Sequence, residues 1–239
     1  MKQNQIVLTC EEIYKQFLLL YLHMLIAGID EAGRGPCIGP LVMAVTSIDK
    51  EKEHELINLG VKDSKLLSEK QREKFAKEIK TIVHEYALIS ISAKEIDTLR
   101  IHKSLNEIEA MKAAKLLINS KSTPDVVYVD SPDTVMAEFG KRIQNYLSFK
   151  TKIVSEHKAD FNYPICSAAS ILAKVERDRA IKKLAKEFGP MGSGYPGDEN
   201  TIKFLRNYLL QNNTMPEFAR KSWQTIANLE SERFQKKII

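Results

Sequence analysis

The stretch Ile26-Ala27-Gly28-Ile29-Asp30-Glu31-Ala32-Gly33-Arg34-Gly35-Pro36 decides how this chain is interpreted. A short apolar run bounded by glycine is typical of a buried strand, and this one ends in two adjacent carboxylates. Because successive strand residues point to opposite faces, we expect the chain to turn at Asp30 and Glu31. Two acids beside an arginine in a glycine turn suit a divalent cation and a phosphodiester. An exposed acidic turn, with Arg34 in an ion pair, is the simpler alternative.

Two more acids follow strand-like segments. Val126-Val127-Tyr128-Val129 leads directly into Asp130, and Lys152-Ile153-Val154-Ser155 is followed shortly by His157-Lys158-Ala159-Asp160. A long helix rich in small residues then begins near Ser167. Each segment alone is a weak signal, but their order and spacing favour one shared site over isolated acidic turns.

The same segments resemble the type 2 ribonucleases H, the ribonuclease HII family. The matching stretches are IAGIDEAGRGP, VYVDSPD, HKADFNYPICSAASILAKVERDRA and GSGYPGD, and they are more archaeal than bacterial in form. The resemblance runs from about Met24 to about Thr225. It implies an α/β fold: a ribonuclease H-like mixed five-stranded sheet flanked by helices, with a C-terminal helical cap. It also implies an endonuclease that cuts the RNA strand of RNA–DNA hybrids and cuts at ribonucleotides embedded in duplex DNA, leaving 5′-phosphate and 3′-hydroxyl ends.

The family's four acids match positions in this chain, and the resemblance implies that they are both catalytic residues and metal ligands. They are Asp30, Glu31, Asp130 and Asp160. Carboxylates suit Mg²⁺ or Mn²⁺, which prefer oxygen ligands, whereas the sequence shows no clustering of His or Cys that would favour zinc. Two divalent cations about 4 Å apart can activate water and neutralise the leaving oxygen in phosphodiester hydrolysis. His157 is interpreted as a supporting surface residue rather than a general base.

Five further residues are predicted to bind substrate. The backbone amides and carbonyls of Gly33, Arg34 and Gly35 are placed to reach the ribose 2′-hydroxyl, the group that distinguishes RNA from DNA. Tyr195 matches a family tyrosine that helps to recognise the RNA–DNA junction; a packed loop aromatic is the alternative. Lys65, in a DSK segment like that of the family, is expected to contact a phosphate.

Charge and composition agree with a polyanionic partner. The net charge is +5, and residues 174–239 carry 13 Lys/Arg against 8 Asp/Glu, which leaves 23 of each in the rest of the chain. A basic C-terminal third beside an acidic site suits hybrid and ribonucleotide-containing duplex DNA as partners. The apolar run at residues 17–26 is too short to span a bilayer, so no membrane association is expected. Three scattered cysteines without a C-x-x-C pair fit a reducing cytoplasm.

Turn and periodicity signals predict a strand hairpin over residues 26–48 and a third strand over 86–92. From this third strand onward, predicted strands alternate with helices, which favours parallel pairing. Capping boxes at Ser68 and Ser104 predict helix starts. Two helices, about 199–210 and 216–230, would form the cap. The domain boundaries follow as 1–23, an N-terminal extension from a mis-assigned start or a short amphipathic helix; 24–195, the catalytic domain; and 196–239, the helical cap.

Three alternative functions are weighed against this interpretation. The first is a catalytically silent nucleic-acid-binding module on the same fold, which the presence of all four acids disfavours. The second is a type 3 ribonuclease H, whose usual N-terminal binding domain is longer than the 23 residues before Met24. The third is a metal phosphatase for small molecules, which the basic C-terminal third disfavours. The resemblance further implies a monomer.

Overall fold

The structure, a computed structural model, describes residues 24–61 and 67–236, with side chains to residue 232. Its strands are β1 Leu25–Ala32, β2 Leu41–Asp49, β3 Glu85–Ile91, β4 Val126–Asp130 and β5 Lys152–Glu156. Its α-helices are α1 Glu53–Leu59, α2 Glu69–Ile82, α3 Ala93–Arg100, α4 Leu105–Ile118, α5 Met136–Asn145, α6 Ala159–Asn162, α7 Pro164–Phe188, α8 Glu199–Asn212 and α9 Gln224–Lys236. The predicted N-terminal extension and Lys65 lie outside the described residues.

The five strands form one mixed sheet in the order β3-β2-β1-β4-β5. β1, β2 and β3 pair antiparallel, whereas β4 is parallel to both β1 and β5. The predicted fold class and the predicted hairpin are therefore confirmed. Parallel pairing was expected from the third strand onward and begins only at β4. The reason is that α1 and α2 return the chain to the end where β2 finishes, as the bond from the His84 amide to the Ser47 carbonyl shows (2.8 Å).

Helices cover both faces of the sheet. The first half of α7 packs with α1 and α2 on one face, in a cluster that includes Ile26, Val42, Ile165 and Leu172. α3, α4 and α5 cover the other face, in a cluster that includes Ile29, Val127, Ala113 and Phe139. Ile118, the last residue of α4, is exposed. The smaller Ala110, Ala113 and Ala114 face the sheet instead and allow α4 to approach it closely.

The C-terminal segments build a third apolar cluster, which contains Cys37, Ile38, Met191, Leu205, Leu209, Met215 and Ile226. α8 begins at Asp198, whose carboxylate accepts the Asn200 amide proton (2.9 Å). The last helix starts eight residues later than predicted, at Gln224. Residues 216–223 instead form an irregular segment that pairs with residues 37–39, through bonds such as Arg220 N to Cys37 O (2.9 Å). No helix within the described ranges is long and apolar enough to cross a membrane.

Candidate active site

The sheet topology brings Asp30 and Asp130 to the same edge. β1 and β4 are parallel neighbours with Ile29 opposite Val129, so the next residue on each strand is an aspartate. The side chain of Asp130 accepts a hydrogen bond from the Ala159 amide (2.9 Å), which ties the end of β4 to the start of α6. Asp160 is the next residue of α6 and is buried. Lys158, with a left-handed φ of 59°, makes the sharp change of direction between β5 and this helix.

Glu31 joins this group in a way that differs from the sequence prediction. The chain does not turn at the acid pair, because β1 continues through Ala32 and Glu31 pairs with Met43 of β2. The turn begins at Gly33, where φ is 85°. Asp30 Oδ1 instead accepts the hydrogen bond of the Glu31 amide (2.8 Å), so the aspartate side chain folds forward along the strand.

Burial and mutual repulsion raise the pKa values of the two adjacent acids. Burial, followed by the charges of Asp130 and Asp160, raises the pKa of Asp30 to about 7. Burial and the Asp30 charge raise the pKa of Glu31 to about 8, with smaller contributions from Asp130 and Asp160. All four predicted acids are therefore close enough to act on one another electrostatically, and two of them, Asp30 and Asp160, are buried.

The donor set fits hard divalent cations. Carboxylate oxygens are the ligands that Mg²⁺ and Mn²⁺ prefer, and a cation would relieve the repulsion that raises these pKa values. Within residues 24–61 and 67–236, no three or more His, Cys, Asp or Glu side chains already stand in an arrangement that would hold a metal ion. His157 is exposed, and its Nδ1 lies 3.1 Å from the Ser131 carbonyl oxygen, in agreement with a supporting role.

The Arg34 side chain faces away from the acids. Its guanidinium forms an ion pair with Glu109 of α4 and donates to Asn106 Oδ1 (2.6 Å). Glu109 is buried, so the pair anchors the turn to the helical layer. The predicted alternative of an ion pair is therefore confirmed for the Arg34 side chain. Only the backbone of the turn remains to contact a substrate. Among the described residues, no hydrogen bond uses the amides of Arg34 and Gly35.

Tyr195 stands beside the same turn. It is 46% exposed, and a Cβ at Gly35 would lie 3.4 Å from its ring, so the turn and the ring are in contact. The guanidinium carbon of Arg177 lies 5.6 Å from the ring centroid, and Arg177 Nη2 donates to Ser193 O (3.1 Å). A cleft of about 380 Å³ separates this group from the acids, and it is lined by Glu31, Gly33, Arg34, Gly35, Arg72, Lys174, Arg177 and Tyr195, among others.

Two residues at this turn escaped the sequence interpretation. Arg177 is buried, and its side chain fills the space where a Cβ on Gly33 would stand. Arg220 is fully buried and donates to the carbonyl oxygens of Gly33 (2.6 Å), Arg34 (2.9 Å) and Gly39 (3.0 Å). Arg177 lies within the family-like stretch HKADFNYPICSAASILAKVERDRA, but nothing in the sequence directs its side chain to the turn, and Arg220 lies outside the four matching stretches.

Comparisons with known proteins agree with this geometry. The model of the family described as Ribonuclease HII matches residues 27–226. The chain belongs to the ribonuclease HII family. Ribonuclease HII of Pyrococcus furiosus is 43% identical over 214 residues, which cover 90% of this chain and 95% of that protein.

Solved structures lead to the same family. The crystal structure of ribonuclease H2 from Pyrococcus horikoshii has a TM-score of 0.85 and 44% identity, and the match covers 89% of this chain and all of that one. The ribonuclease HII of a PCNA complex from Archaeoglobus fulgidus has a TM-score of 0.77 and 39% identity, covering 84% and 96% of the two chains. The expected archaeal resemblance and the ribonuclease H-like fold are confirmed.

Family membership settles the general activity. The chain is an endoribonuclease of the ribonuclease H class, and its family supports cutting of the RNA strand in RNA–DNA hybrids. The match to a ribonuclease HII model also favours type 2 over the type 3 alternative. Divalent-metal dependence is a property of the family.

Proposed function

We propose that this enzyme cuts both RNA–DNA hybrids and duplex DNA containing single ribonucleotides, using two divalent cations held by Asp30, Glu31, Asp130 and Asp160. The observation that carries the proposal is the gathering of these acids at one sheet edge, where the register of β1 and β4 sets Asp30 beside Asp130 and the Ala159 amide ties Asp130 to the helix of Asp160. Arg34 lowers the pKa of Glu31, but its guanidinium is itself paired with Glu109. Divalent cations, Mg²⁺ or Mn²⁺, fit this charge and donor set.

When bound, the cations would supply charge neutralisation at the scissile phosphate and lower the pKa of the attacking water. The protein's own part is to fix the carboxylates in place. The Glu31 amide orients Asp30, the Ala159 amide orients Asp130, and burial in α6 fixes Asp160. Products with 5′-phosphate and 3′-hydroxyl ends follow from attack by water on the phosphorus with departure of the 3′-oxygen.

Substrate selection is proposed to come from the turn and from Tyr195. The exposed ring of Tyr195 offers an apolar face to a sugar or base at the cleft, while the amides of Arg34 and Gly35 offer donors to the 2′-hydroxyl. Lys174 and Arg177 line the same cleft and offer positive charge to the phosphate backbone, whereas Arg72, which also lines it, is paired with Asp178 (2.8 Å). Lys65 remains a proposed phosphate contact from its sequence alone.

One assay tests the proposal. Three duplexes of one sequence would be compared: all DNA, DNA with a single ribonucleotide, and a full RNA–DNA hybrid, each with Mg²⁺ and with Mn²⁺. We expect cleavage of the second and third duplexes but not of the first. The products should carry a 5′-phosphate, so a ligase, which requires that group, should accept them. Failure to cut the single-ribonucleotide duplex, or 5′-hydroxyl ends, would contradict the proposal. The same assay on a chain starting at Met24 would test whether residues 1–23 are dispensable for activity.

A further inference from the structure

We propose that Arg220 is a positioning residue that sets the backbone of the Gly33–Arg34–Gly35 turn for substrate recognition. It lies more than 180 residues along the chain from this turn, in the irregular segment before α9, and it touches neither an acid of the site nor the open cleft. This inference rests on the proposed recognition of substrate by the turn. Its structural part can be tested without any substrate.

The argument begins with the hydrogen bonds of the guanidinium. Arg220 Nη2 donates to Gly33 O (2.6 Å), Nη1 to Arg34 O (2.9 Å) and Nε to Gly39 O (3.0 Å). One planar group therefore fixes three carbonyl oxygens on the two sides of the loop between β1 and β2. The indole Nε1 of Trp223 donates to the next carbonyl oxygen of the turn, that of Gly35 (3.2 Å).

Donation to these carbonyls determines what the turn can offer a ligand. Three successive carbonyl oxygens are directed at Arg220 and Trp223, on the side of the cap. Because the peptide unit is planar, fixing a carbonyl also fixes the direction of the amide that follows it. The amides of Arg34 and Gly35, which bond nothing among the described residues, are thereby held in a defined orientation. The sequence predicted that both the carbonyls and the amides of the turn contact the substrate. Because the carbonyls bond to Arg220 and Trp223, only the amides are placed to do so.

The burial of the Arg220 charge supports a role in positioning the turn. Its side chain is completely buried, and it forms no ion pair with any described carboxylate. Two contacts offset the cost of burying its charge. One is with the face of the Trp223 ring, whose centroid lies 4.8 Å from the guanidinium carbon, and the other is with the three carbonyl oxygens. Burial, followed by the charge of Arg177, lowers the pKa of Arg220 to about 10, so the group remains protonated at neutral pH. Apolar residues could fill this volume at lower desolvation cost, but they could not direct three carbonyls.

The segment that carries Arg220 is itself fixed from outside. The Asp97 carboxylate of α3 accepts the amide protons of Lys221 (2.8 Å) and Ser222 (2.9 Å). The Arg220 amide donates to Cys37 O (2.9 Å), and Ile38 pairs with Ala219. The cap therefore holds the turn through a rigid path, and Arg34 holds it from the opposite side through Glu109.

The test uses Arg220→Met and Arg220→Lys, with Leu209→Ala as the matched control. Leu209 is a buried residue of the third apolar cluster, and its side chain has no donor for the carbonyls of the turn, so Leu209→Ala reports on stability alone. Lysine keeps the charge but not the planar fork that reaches several carbonyls at once. Trp223→Phe removes a single donor and keeps the ring, and it serves if the arginine variants fold poorly.

The first measurement is amide hydrogen exchange of the peptide covering residues 26–40, without substrate. We expect at least tenfold faster exchange at Cys37 and Gly39, whose amides donate to Gly194 O (2.8 Å) and Phe218 O (2.8 Å) in the same loop, in both Arg220 variants and no change there in Leu209→Ala. The second is kcat/KM on the single-ribonucleotide duplex, where we expect a loss of at least tenfold from a raised KM, with binding of all-DNA duplex changed less than twofold. Unchanged exchange, or full activity of Arg220→Lys, would overturn the positioning role. If exchange rises in the Arg220 variants but the wild-type enzyme does not cut the ribonucleotide duplex, Arg220 does position the turn and the proposed function is wrong.

Discussion

The acid cluster and the turn beside it are built in opposite ways. The cluster consists of Asp30, Glu31, Asp130 and Asp160; it is acidic, Asp30 and Asp160 in it are buried, and the parallel strands β1 and β4 bring Asp30 and Asp130 together. The turn, Gly33–Gly35 with Tyr195, is surrounded by Arg34, Arg177 and Arg220 and is assembled by contacts with the C-terminal cap. The difference matches the proposed division of work, with bond cleavage at the sheet edge and recognition of the substrate where the sheet meets the cap.

The first prediction concerns the acid cluster and has the largest expected effect. Asp130→Asn keeps the shape of the side chain but removes a charge that is proposed to hold the cations. Hydrolysis of both substrates should fall together, by roughly a thousandfold or more, because the interaction is needed in the transition state of either reaction. The measurement is kcat on each substrate across a range of Mg²⁺ concentrations. A variant that stays near the wild-type rate would show that Asp130 is not a ligand.

The second prediction concerns the turn region. Stacking of a ring on a nucleotide contributes roughly 1–3 kcal/mol, so Tyr195→Ala should lower cleavage at a single ribonucleotide by about tenfold to a hundredfold. The loss on a long hybrid should be much smaller, since many contacts position that substrate. Tyr195→Phe is the control. It keeps the ring, so it should show only the part of the loss of cleavage that comes from the hydroxyl. Equal losses on both substrates would leave Tyr195 as a general positioning residue.

The third prediction tests how the turn is anchored. Arg34→Met leaves the Glu109 carboxylate buried without its cation, and Glu109 Oε1 already has no hydrogen-bond partner among the described residues. The free energy of unfolding should fall by about 2 kcal/mol, measured by urea denaturation. Lys141→Met, which removes an exposed ion pair with Glu138, should change it by less than about 0.5 kcal/mol. Equal stability of the two variants would show that the Arg34 pair does not anchor the turn.

The fourth prediction has the smallest expected effect. The Asp198 carboxylate accepts the amide protons of Ser193 (2.6 Å) and Asn200 (2.9 Å), and these bonds close the loop that carries Tyr195. They also hold the pKa of Asp198 at about 2, below its ordinary value. The stability that the ionised Asp198 carboxylate gives to the folded protein is therefore complete above about pH 4, and it is lost as the pH falls toward 2. Asp198→Asn should lower single-ribonucleotide cleavage only severalfold at pH 7; a loss as large as that of Tyr195→Ala would mean a direct role.

The two regions also differ in how far the sequence predicts them. Asp30 and Asp130 end strand-like runs, and adjacent parallel strands bring such ends together, so local pattern is enough to group them. The placement of Glu31 was harder, since the strand continues where a turn was expected. Arg177 and Arg220 reach the turn through contacts between segments far apart in the chain, and a buried arginine has no periodicity of its own. The strand order and the late start of α9 likewise depend on such distant contacts.

The division of work is tested most directly by binding rather than by cleavage. Asp130→Asn would be titrated with all-DNA duplex and with the single-ribonucleotide duplex, because the inactive variant leaves the substrate intact. The preference for the ribonucleotide duplex should persist in Asp130→Asn and should fall by about tenfold to a hundredfold when Tyr195→Ala is added. Loss of the preference in Asp130→Asn alone, with Tyr195 in place, would contradict the separation of recognition from cleavage.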